Sequence, residues 1–239
     1  MRVLVTPDYQ TLSEEAAAIV IKSVLAKPAL AVGLPTGQTP LGMYAELIRN
    51  YRSQVVDFSA VKTFNLDEYV GISADDPKSY HTYMRSRLFN HINVNPSNTY
   101  IPNGPPGCAV DAECERYEHL IRQCGGIDLL IMGIGANGHI AFNEPGSPFD
   151  SRTRLVTLAS ETIQAAGKDM PPTAITMGIG TICEARKIVL LASGGKKAEI
   201  VRRALHGPVT EAVPASALQL HSDLIVIIDD SAAGRSRGL

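Results

Sequence analysis

What the chain lacks narrows it first. It has no excess of either charge: 22 basic and 24 acidic residues over 239 leave a net −2, with no long run of one sign. A nucleic-acid binder carries a basic patch or stripe, and none is visible. No apolar segment approaches the ~20 residues that a membrane-spanning helix needs. The opening MRVLVTPDYQ is too poor in apolar residues for a signal peptide. A cytoplasmic protein without nucleic-acid or membrane partners is expected. Cys108, Cys114, Cys124 and Cys183 form no C-x-x-C pair, so free thiols are favoured over disulfides, and a metal site is less favoured still. Repeats and linker-like stretches are also missing. The length suits one α/β domain, residues 1–239, with a large core.

What is present centres on Ile127 to Gly146, IDLLIMGIGANGHIAFNEPG. Its first half, Ile127 to Met132, is an almost unbroken apolar run entered from Gly125-Gly126. That is the pattern of a strand buried on both faces in a parallel sheet. Gly133, Gly135 and Gly138 then leave the backbone bare, and Asn137, His139, Asn143 and Glu144 follow closely. Polar groups so placed sit where open α/β sheets bind ligands, beyond the carboxyl ends of the strands. The glycines also satisfy the dinucleotide fingerprint G-x-G-x-x-G, which requires a helix to open at the third glycine. Pro145 and Pro148 leave no room for one, and no acidic residue closes a second strand at the required spacing. The dinucleotide reading is set aside.

Strands and helices alternate along the rest of the chain. Strands are expected at Arg2–Thr6, Ala29–Leu34, Val61–Leu66, Arg152–Leu158, Ile188–Ala192 and Leu224–Ile228, with a short extended piece at Tyr100-Ile101. Helices are expected at Ser13–Ala26 (Thr11 and Glu14 forming a capping box), Leu41–Arg52, Ser79 to about Asn90, Asp111–Gln123, and from the glycine-lysine turn to about His206. Glu113, Glu115, Arg116 and Glu118 read as a solvated helix face. Ser160–Lys168 is a weakly patterned helix between strong elements, a candidate lid. Ser216–His221 is a short helical turn, and Ser231–Leu239 a frayed tail. The class is therefore α/β: a Rossmann-like three-layer sandwich with a mostly parallel sheet and helices on both faces.

Four strand exits carry polar residues. Pro35-Thr36-Gly37-Gln38-Thr39-Pro40 joins a strand to a helix start, which makes either an anion site or an ordinary turn. The third strand delivers Asn65, Asp67, Glu68 and Tyr69 at its end; the adjacent carboxylates suit proton transfer or metal binding, or else an N-cap beside a surface acid. The third exit is the Asn137/His139/Glu144 cluster. The fourth, Ser193-Gly194-Gly195-Lys196-Lys197, sets two lysines against a helix dipole, a tension that a bound anion would relieve. One crevice holding all four would combine a dianion clamp, a carboxylate base and a His–Glu pair.

At this level of detail the blocks GLPTGQTP, FNLDEYVG, GIGANGHIAFNEPG, ASGGKKA and LQLH, in this order, resemble the glucosamine-6-phosphate deaminase family over nearly the whole chain. The resemblance implies conversion of glucosamine 6-phosphate and water to fructose 6-phosphate and ammonium, with no metal or organic cofactor. It implies a modified Rossmann-like sandwich shared with phosphogluconolactonases. Asp67 would move a proton between C2 and C1 of the opened sugar, and His139 would be the ring-opening acid/base, oriented mainly by Glu144. Asn137 falls where many relatives have Asp; an amide holds the imidazole without stabilising its charged form. Thr36, Gly37, Thr39 and Lys197 would hold the phosphate. Lys168 would assist from a segment where many relatives place an arginine, keeping the charge without the bidentate fork. Arg154 matches a basic position of the allosteric members, but Val156 replaces a lysine, which with the short tail implies an unregulated enzyme, a monomer or small homo-oligomer. Two alternatives remain. A 6-phosphogluconolactonase-like hydrolase would not need Asp67 or the FNEP block, and a non-catalytic sugar-phosphate sensor would carry a DNA-binding helical segment and lose the catalytic acids.

Overall fold

In the computed structural model, which describes residues 1–167 and 169–235, the alternation resolves into ten strands and seven helices. In chain order they are β1 (Arg2–Thr6), α1 (Tyr9–Ala26), β2 (Ala31–Leu34), α2 (Leu41–Arg52), β3 (Lys62–Asn65), β4 (Asp67–Tyr69), α3 (Tyr80–Arg87), β5 (Thr99–Tyr100) and α4 (Val110–Gln123). They continue as β6 (Leu129–Gly133), β7 (Arg154–Thr157), α5 (Ser160–Ala166), β8 (Thr173–Thr176), α6 (Ile179–Cys183), β9 (Ile188–Ala192), α7 (Ala198–His206) and β10 (Leu224–Asp229). Short 3-10 turns fall at Phe89–His91, Pro96–Asn98, Gly195–Lys197 and Pro214–Leu220.

Seven strands form one parallel sheet in the order β1-β10-β9-β6-β2-β3-β5. The central apolar run is β6, in the middle, and its side chains alternate between two cores. Leu129 and Ile131 join Val189, Leu191, Ile225 and Ile227 under α1, α2 and α3. Leu130 and Met132 join Ile188, Leu190, Val226 and Ile228 under α4, α6 and α7. Each such side chain, withdrawn fully from water, contributes about 1.5–3 kcal/mol, which is why a two-sided apolar run settles in the sheet interior. The result is the expected three-layer sandwich. After β2 the chain winds outward through β3 and β5; it then returns to β6 and winds the other way through β9 and β10. The carboxyl ends of β2 and β6 therefore flank the switch point, where such sheets open a crevice.

Several elements depart from the sequence-based expectation. Helix α1 starts at Tyr9 rather than Ser13, because Asp8 accepts from the Thr11 N–H at 2.8 Å and takes the cap position assigned to Thr11. The expected strand Val61–Leu66 breaks at Leu66, and Asp67–Tyr69 leaves the main sheet. It joins an antiparallel three-stranded sheet, β4-β8-β7, which the local pattern did not announce. Glu118 is buried, not solvated. It accepts from Thr153 N and Oγ1, Thr181 Oγ1 and Arg152, tying α4 to β7 and α6. Burial opposes its charge, yet these donors outweigh burial and hold the carboxyl below its usual range. Among the described residues no helix is long and apolar enough to cross a membrane.

Candidate active site

The crevice at the switch point has a volume of about 960 Å³. Thr36, Gly37 and Thr39, then Asp67, then Asn137, His139 and Glu144, and finally Lys197 all line it. Eight of the nine positions singled out in the sequence thus meet in one place. The ninth, Lys168, lies outside the described residues.

One wall is the loop between β2 and α2. Three tyrosines hold its carbonyls from outside: Tyr44 donates to Pro35 O, Tyr83 to Gly37 O, and Tyr9 to Gln38 O and Thr39 O. The N–H groups of Thr36, Gly37, Gln38 and Thr39 find no protein acceptor among the described residues. Thr36 and Thr39 are half-buried and Gly37 and Gln38 exposed, so this row of backbone donors faces the open crevice, where successive N–H groups can seat an anion. Gly37 sits at φ +92°, a left-handed conformation, with open space where a Cβ would stand. Opposite, Lys197 donates from Nζ to Ile134 O at 2.7 Å, and burial lowers its pKa. Asp229 at the end of β10 sets the turn carrying this lysine, accepting from Ser193 Oγ and from Gly194 N at 3.1 Å.

Asp67 and Glu68, adjacent in sequence, have separate tasks. Glu68 turns away from the crevice and accepts from the N–H groups of Tyr69, Tyr80 and His81 and from His81 Nδ1 at 2.9 Å. It is the buried anchor for the first turn of α3. Asp67 lines the crevice, 7% exposed, with no donor to its carboxylate among the described residues. Burial, and then the neighbouring Glu68 charge, push its pKa to about 8. Its backbone is fixed by the ladder with Thr176 in the second sheet.

The third component is a chain of three side chains in the turn after β6. His139 Nδ1 lies 2.8 Å from Asn137 Oδ1, which also accepts from the His139 N–H at 3.1 Å. Asn137 Nδ2 donates to Glu144 Oε2 at 2.7 Å. These two bonds fix which end of the amide faces the imidazole. An amide oxygen only accepts, so Nδ1 bears a proton and donates to Asn137, which leaves Nε2 as the ring nitrogen facing away from this bond. Glu144 Oε2 is 3.5 Å from Nδ1, so Asn137, not Glu144, is the nearer partner of the ring, contrary to the order expected. Burial works against the Glu144 charge; bonds from His139, Thr162 and Asn137 outweigh it and hold the carboxyl at about 2. Gly135 is required by packing: a Cβ there would stand 2.2 Å from the His139 ring.

Other crevice residues were not singled out one by one in the sequence, although two of them lie in the candidate lid. Tyr80, at the start of α3, lines the crevice and reaches Tyr69 Oη at 3.3 Å. Glu161 and Thr162 of the weakly patterned segment, with Ala159 just before it, also face it. No local periodicity marks such residues, because what selects them is a neighbour distant in the chain.

Fold and crevice define a class: a Rossmann-like α/β protein with an acid/base crevice beside an anion seat at the sheet's switch point. More narrowly, residues 8–226 match the family described as glucosamine-6-phosphate isomerases/6-phosphogluconolactonase, and the chain belongs to that family. A protein of Thermoanaerobacter sp. (strain X514) named glucosamine-6-phosphate deaminase is 49% identical over 239 residues, spanning 98% of this chain and 94% of its own. One of the same name from Clostridium botulinum (strain Kyoto / Type A2) is 47% identical, covering 98% of both chains. A solved structure of a monomeric glucosamine-6-phosphate deaminase superposes with a TM-score of 0.95 at 47% identity, over 99% of this chain and 100% of its own. The 6-phosphogluconolactonase of Trypanosoma brucei, at 22% identity and a TM-score of 0.77, shares the fold.

Proposed function

We propose that the chain is a glucosamine-6-phosphate deaminase, converting glucosamine 6-phosphate and water to fructose 6-phosphate and ammonium. The observation that carries this reading is the placing of Asp67, buried with no donor to its carboxyl among the described residues, in the same crevice as the His139 imidazole and a row of N–H groups without a protein acceptor among those residues. Full-length relatives of that name support it.

The phosphate would sit on the Thr36–Thr39 N–H groups and hydroxyls with the Lys197 ammonium, fixing one end of the sugar. His139 Nε2, as a lone-pair acceptor, takes the proton of the anomeric hydroxyl and returns it to the ring oxygen, so the ring opens with no net change in protonation. Asn137 holds the tautomer this requires. Asp67 then removes the C2 proton and delivers it to C1, while the C2 ammonium gives up one proton and the C1 oxygen gains one, leaving a C1 hydroxymethyl group and a protonated C2 imine. The resulting C2 imine adds water and releases ammonia, which leaves as ammonium. Asp67 must be ionised to act, although burial keeps it largely protonated in the free protein at neutral pH. The substrate's own C2 ammonium supplies the counter-charge: a cation within reach of a buried carboxylate favours its charged form. The amino group that is to leave thus activates the base that starts the reaction.

Incubation with glucosamine 6-phosphate and an assay for ammonium and fructose 6-phosphate tests this directly. Release of both supports the reading. Hydrolysis of 6-phosphogluconolactone without deamination would replace it with the lactonase alternative.

A further inference from the structure

We propose that Thr162 is a positioning residue for ring opening, making the Glu144–Asn137–His139 chain depend on α5 being seated over the crevice. The inference rests on the ring-opening role assigned above. Glu144 ends that chain, and its two oxygens are divided between different parts of the fold. Oε2 serves Asn137 and faces His139. Oε1 accepts from Thr162 Oγ1 at 2.5 Å, its one donor among the described residues.

Two features make this bond more than packing. Thr162 stands in the first turn of α5, where a threonine hydroxyl most readily serves local backbone groups. Thr162, 9% exposed, instead spends its hydroxyl across space on a residue 18 positions earlier. It is also the one polar side-chain link that α5 makes to the crevice among the described residues. The helix itself is lightly held. It spans seven residues, Ala159 gives it no side-chain cap, and it stops at Gly167 with φ +117°. Its apolar anchor is Ile163, against a small cluster of Tyr69, Phe142, Leu158 and Ala174.

A hydroxyl–carboxylate bond is lost once the groups separate by about 1 Å beyond contact. If α5 lifts, Oε1 loses its donor and the carboxylate is free to turn. The amide of Asn137 then loses its fixed partner, and with it the imidazole loses its setting. If α5 closes on a bound sugar, the chain is pinned at both ends. The weak helix therefore acts on the proton relay itself, beyond covering the crevice.

The test uses Thr162→Val, which keeps the branched shape and removes the hydroxyl, with Thr162→Ser as rescue and Thr162→Val added to Glu144→Ala. Glucosamine 6-phosphate turnover by the wild type is the control: no ammonium there overturns the assigned reaction and this inference with it. Given wild-type turnover, Thr162→Val should lower kcat about tenfold with KM within about twofold, and serine should restore most of it. In the Glu144→Ala background the same change should alter kcat by less than about twofold, since the residue it acts through is gone. Near-wild-type kcat in Thr162→Val, a matching rise in KM, failure of serine to rescue, or additive losses in the double variant would each overturn the proposal. Should Thr162→Val not fold, Thr162→Ala against Thr162→Ser gives the same comparison.

Discussion

At the residue scale, Asp67 is a buried acid whose ionisation costs stability. Its carboxyl titrates at about 8 in the folded chain, against an ordinary value of 3.8. Between these values the native state holds a proton that the unfolded state has released, so stability falls as pH rises. The cost is absent below 3.8 and complete above 8. Asp67→Asn should therefore match the wild type in urea denaturation at low pH and exceed it by a margin that grows to several kcal/mol by pH 9. The same variant should lose activity by a factor on the order of 10² or more. Equal pH dependence in both proteins would show that Asp67 is not buried as an acid. Glu144 has the opposite sign. Depressed from 4.5 to about 2, it contributes stability above 4.5 that is lost as pH falls through 2. Glu144→Gln should thus weaken the wild type's extra loss of stability over that acid range, as followed by circular dichroism.

At the scale of elements, the turn after β6 and the start of α3 can be broken separately. Gly135→Ala puts a Cβ 2.2 Å from the imidazole, so the ring must move while the strand behind it stays packed. Activity should fall about a hundredfold, with the thermal midpoint lowered only by the modest cost of overpacking, about 1–3 kcal/mol. Glu68→Ala has the reverse profile. It strips the buried acceptor from the N–H groups of Tyr80 and His81, and should destabilise by about 1–3 kcal/mol in urea titration while the folded fraction still turns over. Little of this division was legible beforehand. Asp67 and Glu68 are adjacent carboxylates in the sequence; β4 and α3 give them different surroundings, and no spacing rule distinguishes them.

At the scale of the molecule, the crevice residues named above all lie on this chain, and Val156 in place of the allosteric members' lysine makes an enzyme without an activator the expectation. Arg154, the basic residue kept from the allosteric pattern, already donates to Asn143 Oδ1 at 2.8 Å and to Ser147 Oγ at 3.2 Å, and its neighbour two residues on is Val156. Its guanidinium is committed inside the fold. Rate against glucosamine 6-phosphate should be hyperbolic, unchanged by N-acetylglucosamine 6-phosphate, and the protein should sediment as a single chain. A sigmoidal curve straightened by that compound would contradict this. The sequence by itself determined the order of the seven main-sheet strands and of every helix but the short α6, the two-faced burial of the central strand, and the polar content of the strand exits. Those are local properties: side-chain periodicity reports burial, and glycine next to hydroxyl or amide residues reports an open backbone. Tertiary structure alone decided the second sheet that fixes Asp67 against Thr176, the burial of Glu118, the place of Asn137 between His139 and Glu144, and the reach of Thr162 to Glu144. Each depends on which distant or turned-back group comes within about 3 Å. A periodic pattern says that a side chain is buried, but not what it is buried against.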